Sequence, residues 1–170
     1  RIIVVVGYGK EQITERFCDL GDISFVQQPE QKGTGHAVMC CQEQIRNFKG
    51  DVLVLCGDAP LIRSNTLKTL INKHEQEKSG VTLATAVMQE PFGYGRIIRD
   101  AYGNIQGIVE HKDCTEKQLE IKEVNPGYFC FDNRVLLEAL SQIKPNNVKN
   151  EYYLTDALHI AIENGHKAIA

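Results

Sequence analysis

Three segments place polar groups at the ends of apolar runs, where ligand chemistry is usually done. The first is Gln28-Pro29-Glu30-Gln31-Lys32-Gly33-Thr34-Gly35-His36-Ala37. A strand ends there, a polar loop follows, and a Gly-Thr-Gly step opens a helix. Glycines allow backbone angles and close approaches closed to other residues. The free N–H groups of a helix start then face whatever sits above the strand ends. The same step also serves as a tight structural turn. Gln28 beside it both donates and accepts, which suits the edge of a base. No G-x-x-x-x-G-K-[ST] loop occurs.

The second segment is Gly57-Asp58-Ala59-Pro60, after the apolar run Val52-Leu53-Val54-Leu55. A carboxylate leaving a buried strand is poorly placed for packing and well placed for Mg²⁺. That ion takes one or two protein carboxylates and completes its shell with phosphate oxygens and water. Asp58 as the cap of a turn before Pro60 is the other reading. The third segment pairs Glu110, directly after Ile108-Val109, with Asn125 in Val124-Asn125-Pro126-Gly127. The charged run 110–113 reads by default as a solvated turn. Glu110 after an apolar pair can instead turn into a pocket, and the proline break suggests a bulge or edge where side-chain amides face a ligand. His36, His74, His111, His159 and His166 show no metal-ligand spacing, and there is no G-x-S-x-G. No histidine is assigned catalysis.

Elements that could position these groups follow from periodicity. Ile2–Val6 reads as a strand buried on both faces. Residues 11–20 read as a helix with Ile13, Phe17 and Leu20 on one face. A strand over 22–28, a helix over 35–48 and a strand over 51–55 follow. Ser64 is placed to cap a helix reaching about residue 79, and 81–88 is a strand. This βαβαβαβ order predicts a mostly parallel, three-layer α/β sheet. Beyond Gln89 the rhythm turns β-rich, with strands 96–99 and 104–110 around Tyr102-Gly103-Asn104 and another over 124–131. Asp132 is placed to cap a helix containing Val135, Leu136, Leu137 and Leu140, and 155–164 is the last helix. The segments form one domain over 1–170. An opening strand without initiator methionine and a strand just starting at His166 read as the cut ends of a longer protein.

Composition removes several classes. With 22 acidic against 19 basic side chains, no overall positive field draws nucleic acid or anionic lipid. No apolar run reaches the ~18 residues of a membrane span, and no signal peptide is visible, so the cytoplasm is expected. Cys18, Cys40, Cys41, Cys56, Cys114 and Cys130 form no C-x-x-C pair. Cys18, Cys56 and Cys130 sit in apolar stretches and read as reduced core thiols.

Taken in order, these segments resemble the uridylyltransferase domain of the bacterial bifunctional N-acetylglucosamine-1-phosphate uridylyltransferase and glucosamine-1-phosphate acetyltransferase family. The likeness runs through Gly7-Tyr8-Gly9, Gln28 to Ala37 and Gly57-Asp58-x-Pro60-Leu61. It continues through Gly93-Tyr94-Gly95-Arg96-Ile97, Ile108 to Asp113, Asn125-x-Gly127 and Glu151-Tyr152-Tyr153-Leu154-Thr155-Asp156. The resemblance implies a Rossmann-like nucleotide-diphospho-sugar transferase fold with a β-rich sugar-binding insertion. It implies formation of UDP-N-acetylglucosamine and pyrophosphate from UTP and N-acetylglucosamine-1-phosphate, with Mg²⁺, for peptidoglycan and lipopolysaccharide precursors. Gln28 would read uracil, with Gly33 and Thr34 on the base and ribose side. Cys56, Gly57 and Asp58 would line the nucleotide, with Asp58 the metal ligand and catalytic residue. Gly95, Glu110 and Asn125 would hold the sugar, joined by Tyr153 and Thr155.

The family's Leu-x-x-Gly-x-Gly-Thr-Arg-Met triphosphate loop and following lysine are absent, as is the Gly-Val-Asn-Asn segment that completes the magnesium shell. The β-helix acetyltransferase half, through which relatives trimerise, is also absent. The chain is therefore expected to be a nucleotidyltransferase fragment without turnover of its own. Cys56 stands where relatives often carry an aromatic, and Pro126 where they carry a small polar residue. Another sugar-1-phosphate nucleotidyltransferase and a non-catalytic nucleotide-sugar-binding module stay open as alternatives.

Overall fold

The computed structural model describes residues 1–170 and shows an α/β fold with three sheets. β1 (Ile2–Val6), α1 (Lys10–Phe17) and β2 (Ile23–Gln27) form a parallel pair with its crossover helix, in register from Ile2 opposite Ile23 to Val6 opposite Gln27. Next come α2 (Thr34–Met39), α3 (Gln42–Ile45), β3 (Asp51–Val54), α4 (Ser64–Glu77) and β4 (Val81–Leu83). The insertion holds β5 (Ala86–Val87), β6 (Gly95–Arg99), β7 (Ile105–Val109), α5 (Glu116–Leu119) and β8 (Glu123–Asn125). β9 (Phe129–Asp132), α6 (Asn133–Leu140), α7 (Leu154–Glu163) and β10 (Ala168–Ile169) complete the chain.

The second sheet has the order β10-β4-β9-β3. β10 lies parallel to β4, while β9 runs antiparallel between β4 and β3, so this sheet is mixed. The third sheet, β5-β8-β6-β7, is antiparallel throughout. The predicted strand 81–88 therefore splits between two sheets, and so does 124–131. In the second case Pro126, which has no amide for a ladder, and Gly127 at φ 88° turn the chain between sheets. The predicted helix 35–48 breaks at Cys40 and Cys41 into two short helices.

The core lies where α6 and α7 meet the second sheet and β7. Val81, Phe131, Leu136, Ala157 and Leu158 are wholly buried there. Local signals end the helices. The Asp132 carboxylate accepts from the backbone N–H groups of Arg134 and Val135 and starts α6. Gly165 at φ 82° ends α7, its N–H donating to Ile162 O while that of His166 donates to Ala161 O. Ser64 makes no cap bond; it is the first helical residue and Arg63 holds the cap position. The predicted helix 11–20 ends at Phe17, so Leu20 lies outside it, and Ile13, Phe17 and Leu20 are all exposed because α1 buries none of its residues. Cys41 and Cys130 are the buried thiols, pushed by burial up to about 11 and about 12, whereas Cys18 and Cys56 are exposed.

β1 departs most from expectation. Only Val6 of the five is fully buried, because β1 has a strand neighbour on one side alone. Ile2 donates to Asp22 O and Val6 O accepts from Gln28, so even-numbered residues pair with β2. The amides of Ile3 and Val5 therefore point the other way. β3 is likewise an edge: Gly50 O accepts from Asn133 on the β9 side, which turns Asp51 and Leu53 outward. Both free edges line one groove, floored by Ala37, Val38, Cys41 and Ile45.

The approach to β3 hangs on Asn133, which is 2% exposed. Its Nδ2 donates to Ile45 O at 2.7 Å and Phe48 O at 2.8 Å, while its backbone N–H donates to Gly50 O. Asn133→Ala is expected to cost about 2–3 kcal/mol, read from the urea midpoint, since two buried carbonyls lose their donor. An unchanged midpoint would show that these bonds do not anchor β3.

Candidate functional site

At the end of the parallel pair, the chain leaves β2 with Gln28 still bonded to Val6 O at 2.8 Å. The Gln28 side chain folds back on its own loop, Nε2 donating to Gly33 O at 3.0 Å and lying 3.0 Å from His36 Nδ1. Gly33 sits at φ 104°, and a Cβ there would lie 2.5 Å from Tyr152 O. One on Gly35 would lie 2.9 Å from the same oxygen. These glycines let two backbones touch. Tyr152 N–H donates to Lys32 O at 2.7 Å, Gly35 N–H to Tyr152 O at 2.8 Å, and Leu154 N–H to Thr34 Oγ1 at 3.0 Å. The Gly35 N–H at the start of α2 is thus already engaged by Tyr152, and the Thr34 oxygen supports the start of α7.

The end of β3 carries Cys56, Gly57 and Asp58, all exposed. No group of three or more His, Cys, Asp or Glu side chains gathers to cage a metal. A lone accessible carboxylate beside room for phosphates suits a hard ion such as Mg²⁺ and not a tetrahedral zinc site. Although Cys56 as a whole is exposed, its sulfur packs against Gly127, and this local desolvation raises the thiol above its ordinary value, with the charges of Asp58 and Glu110 adding to the rise.

In the antiparallel insertion, register places Gly95 opposite Asn125 and Arg96 opposite Val109. A Cβ on Gly95 would lie 2.7 Å from Ile108 Cγ2 and 3.5 Å from both Glu110 oxygens. Asn125 Oδ1 accepts from Gly127 N–H at 2.9 Å, which orients the amide and leaves its nitrogen for a ligand. Gly127 in turn packs on Cys56: a Cβ there would lie 2.6 Å from its sulfur. Thr155 Oγ1 donates to Glu110 Oε1 at 3.2 Å. Burial raises the Glu110 carboxyl above the usual range; Thr155 and Lys149 oppose that rise while Asp113 and Asp156 add to it. Burial, with Asp113, Glu151, Glu110 and Asp156 nearby, pushes the Tyr153 hydroxyl up to about 12. Asp156 is raised chiefly by burial.

Gln28, Gly33, Thr34, Cys56, Gly57, Asp58, Glu110 and Tyr153 line one cavity of about 1790 Å³. This exceeds the ~300–1,000 Å³ of ordinary ligand pockets, because it runs on into the groove between β1 and β3. Gly95, Asn125 and Thr155 stand outside the lining; Gly95 and Thr155 adjoin it through Glu110, and Asn125 through Gly127 and Cys56. Lys112 and Lys149 also line the cavity. They are cations facing its carboxylates that sequence reading did not single out. Lys112 hides in a charged run that reads as a solvated turn. Lys149 lies in a polar loop whose only signal is its closeness to Glu151-Tyr152-Tyr153.

The nucleotidyl transferase family profile matches residues 1–170. The bifunctional protein GlmU of Geotalea daltonii is 45% identical over 161 residues, covering 95% of this chain and 35% of that protein. GlmU of Geobacillus sp. (strain WCH70) is 46% identical over 165 residues, covering 97% and 36%. GlmU of Clostridium beijerinckii is 46% identical over 166 residues, covering 98% and 36%. The chain spans about a third of the length of these relatives. Among solved structures, UDP-glucose pyrophosphorylase complexed with UDP-glucose superposes with a TM-score of 0.71 at 20% identity, covering 99% of this chain and 72% of that one. The apo form of UDP-glucose pyrophosphorylase gives 0.69 at 18% identity, with the same coverage. These two share the fold.

The raised Glu110 carboxyl has a consequence for the free chain. A carboxyl raised on folding destabilises above its folded pKa and contributes nothing once pH falls below its unfolded value. Glu110→Gln keeps an acceptor for Thr155 and removes the charge. It should raise Tm at pH 7, a gain that vanishes as pH approaches about 4. A gain independent of pH would refute the buried-charge account.

Proposed function

The chain belongs to the nucleotidyl transferase family, and from that premise we propose that its cavity is the nucleotide-sugar cleft of a uridylyltransferase. The reaction is transfer of UMP from UTP to N-acetylglucosamine-1-phosphate, giving UDP-N-acetylglucosamine and pyrophosphate. One observation carries the proposal. A single cavity gathers an amide at Gln28, a strand-end carboxylate at Asp58 and a pocket carboxylate at Glu110, from segments far apart in sequence. Such a cleft suits a base, a metal-associated diphosphate and a sugar in line. The curated relatives named GlmU support the choice of sugar and nucleotide, and the cytoplasm is where such precursors are made.

In this reading Gln28 meets the uracil edge, with Gly33 and Thr34 forming the wall beside base and ribose. Cys56 and Gly57 bound the nucleotide, and Asp58 is the residue that would hold Mg²⁺, which when bound would supply neutralisation of phosphate charge. Glu110 and Asn125, backed by Gly95, take sugar hydroxyls and the acetamido group, with Tyr153 and Thr155 closing that end. The sugar phosphate oxygen attacks the α-phosphorus of UTP and the bond to pyrophosphate breaks. The attacking oxygen is already anionic at neutral pH, so no general base is required. The protein's part is positioning and charge complementarity, to which Lys112 and Lys149 add positive potential.

Calorimetric titration of this chain with UDP-N-acetylglucosamine is expected to show binding that tightens about tenfold on adding Mg²⁺. Asp58→Ala should remove that gain and leave the metal-independent part intact. In the longer enzyme the same substitution should abolish turnover. A chain that does not bind this ligand rules out the proposal, and turnover retained by Asp58→Ala rules out the metal assignment.

A further inference from the structure

The Gln28 amide has one orientation open to it. Gly33 O is a carbonyl and can only accept, so the group 3.0 Å from it must be the amide nitrogen. That nitrogen is also 3.0 Å from His36 Nδ1. Its two hydrogens are thus committed, one to Gly33 and one to the imidazole. Two donors cannot face each other at this distance, so Nδ1 must carry a lone pair and the ring proton must sit on Nε2. Gln28 Oε1 is left over. No hydrogen bond of the fold uses it, and it is not among the sealed, unpartnered side-chain atoms, while Gln28 itself lines the cavity.

We infer that His36 is a positioning residue which, by accepting from Gln28 Nε2, locks the amide so that it offers the ligand base an acceptor alone. This rests on the uridine reading of the cleft. A free amide could rotate by 180° and meet either a donor or an acceptor on a base edge, which is no discrimination. Held by His36 and Gly33, it accepts from the ring N–H of uracil and opposes the bare ring nitrogen of cytosine. Rejection then comes from a mismatch as much as from a match. Adenine, with a bare nitrogen at the corresponding edge, is refused on the same ground. His36 stands on α2 and is placed by its own helix, while Tyr152, 6.2 Å away between ring centroids, limits its movement.

The test compares UDP with CDP. Titration of the chain with each, at fixed Mg²⁺, should show a preference for UDP of about tenfold or more. In His36→Leu the amide keeps only its bond to Gly33 O, so the ratio should fall by about threefold or more, mainly through weaker UDP binding. His36→Asn, whose side-chain oxygen can accept from Gln28, should keep most of the preference. Equal loss of both nucleotides in His36→Leu, with the ratio unchanged, marks a merely structural histidine and overturns the inference alone. A parent chain that does not distinguish UDP from CDP overturns the uridine reading and this inference with it. Nitrogen-15 shifts of the His36 ring in the ligand-free chain give a check that needs no variant to fold. A protonated Nε2 with a bare Nδ1 is expected, and a protonated Nδ1 overturns the proposal.

Discussion

Three hydrogen bonds between residues 32–35 and 152–154 hold the two halves of the site together. They join segments about 120 residues apart, and two of them are backbone to backbone. The contact is possible only because Gly33 and Gly35 bring no Cβ against the Tyr152 carbonyl. Closing so long a loop is entropically costly, and α7, buried against α6 and β7, helps to hold it closed. Once closed, it sets the Gln28 loop beside Tyr153 and Thr155. Glu110 then joins the same wall through the Thr155 hydroxyl. Every other feature of the cleft presupposes this seam.

The remaining side is built differently. Cys56, Gly57 and Asp58 end an edge strand and stay exposed, while Glu110 and Tyr153 stand deeper. The end of the cavity at Cys56–Asp58 is thus open and polar, and the end at Glu110 and Tyr153 more enclosed. Enclosure lifts Glu110, and Asp113 and Asp156 add to the same effect. A carboxylate kept partly short of water binds hydroxyl donors more strongly than one fully hydrated.

Gln28, Asp58 and Glu110 were legible as cavity-lining residues because Gln28 and Glu110 follow directly on a strand and Asp58 lies a few residues past one, and strand ends are where an α/β sheet presents its chemistry. The N-cap role of Asp132 was legible for a similarly local reason. Contacts that depend on distant partners were not. Periodicity cannot show that residues 81–88 divide between two sheets, since both parts are apolar and β-forming. Nor does it show that Pro126 and Gly127 carry the chain from one sheet to another. The Gly-Thr-Gly step looked like a ligand-facing turn, yet its glycines answer to a carbonyl at Tyr152. The run Ile2–Val6 looked buried on both faces because side chains record hydrophobicity and not which neighbours are present.

That run has a bearing on how the chain behaves among other polypeptides. Ile3 and Val5 on one bank of the groove, and Asp51 and Leu53 on the other, present backbone groups that no ladder consumes. Native sheets usually blunt such borders with charge, proline or a covering element. Here a β-branched bank lies open beside an oily floor. Crowded solutions of the chain are therefore prone to self-association through this groove, and the first symptom would be turbidity and not loss of secondary structure.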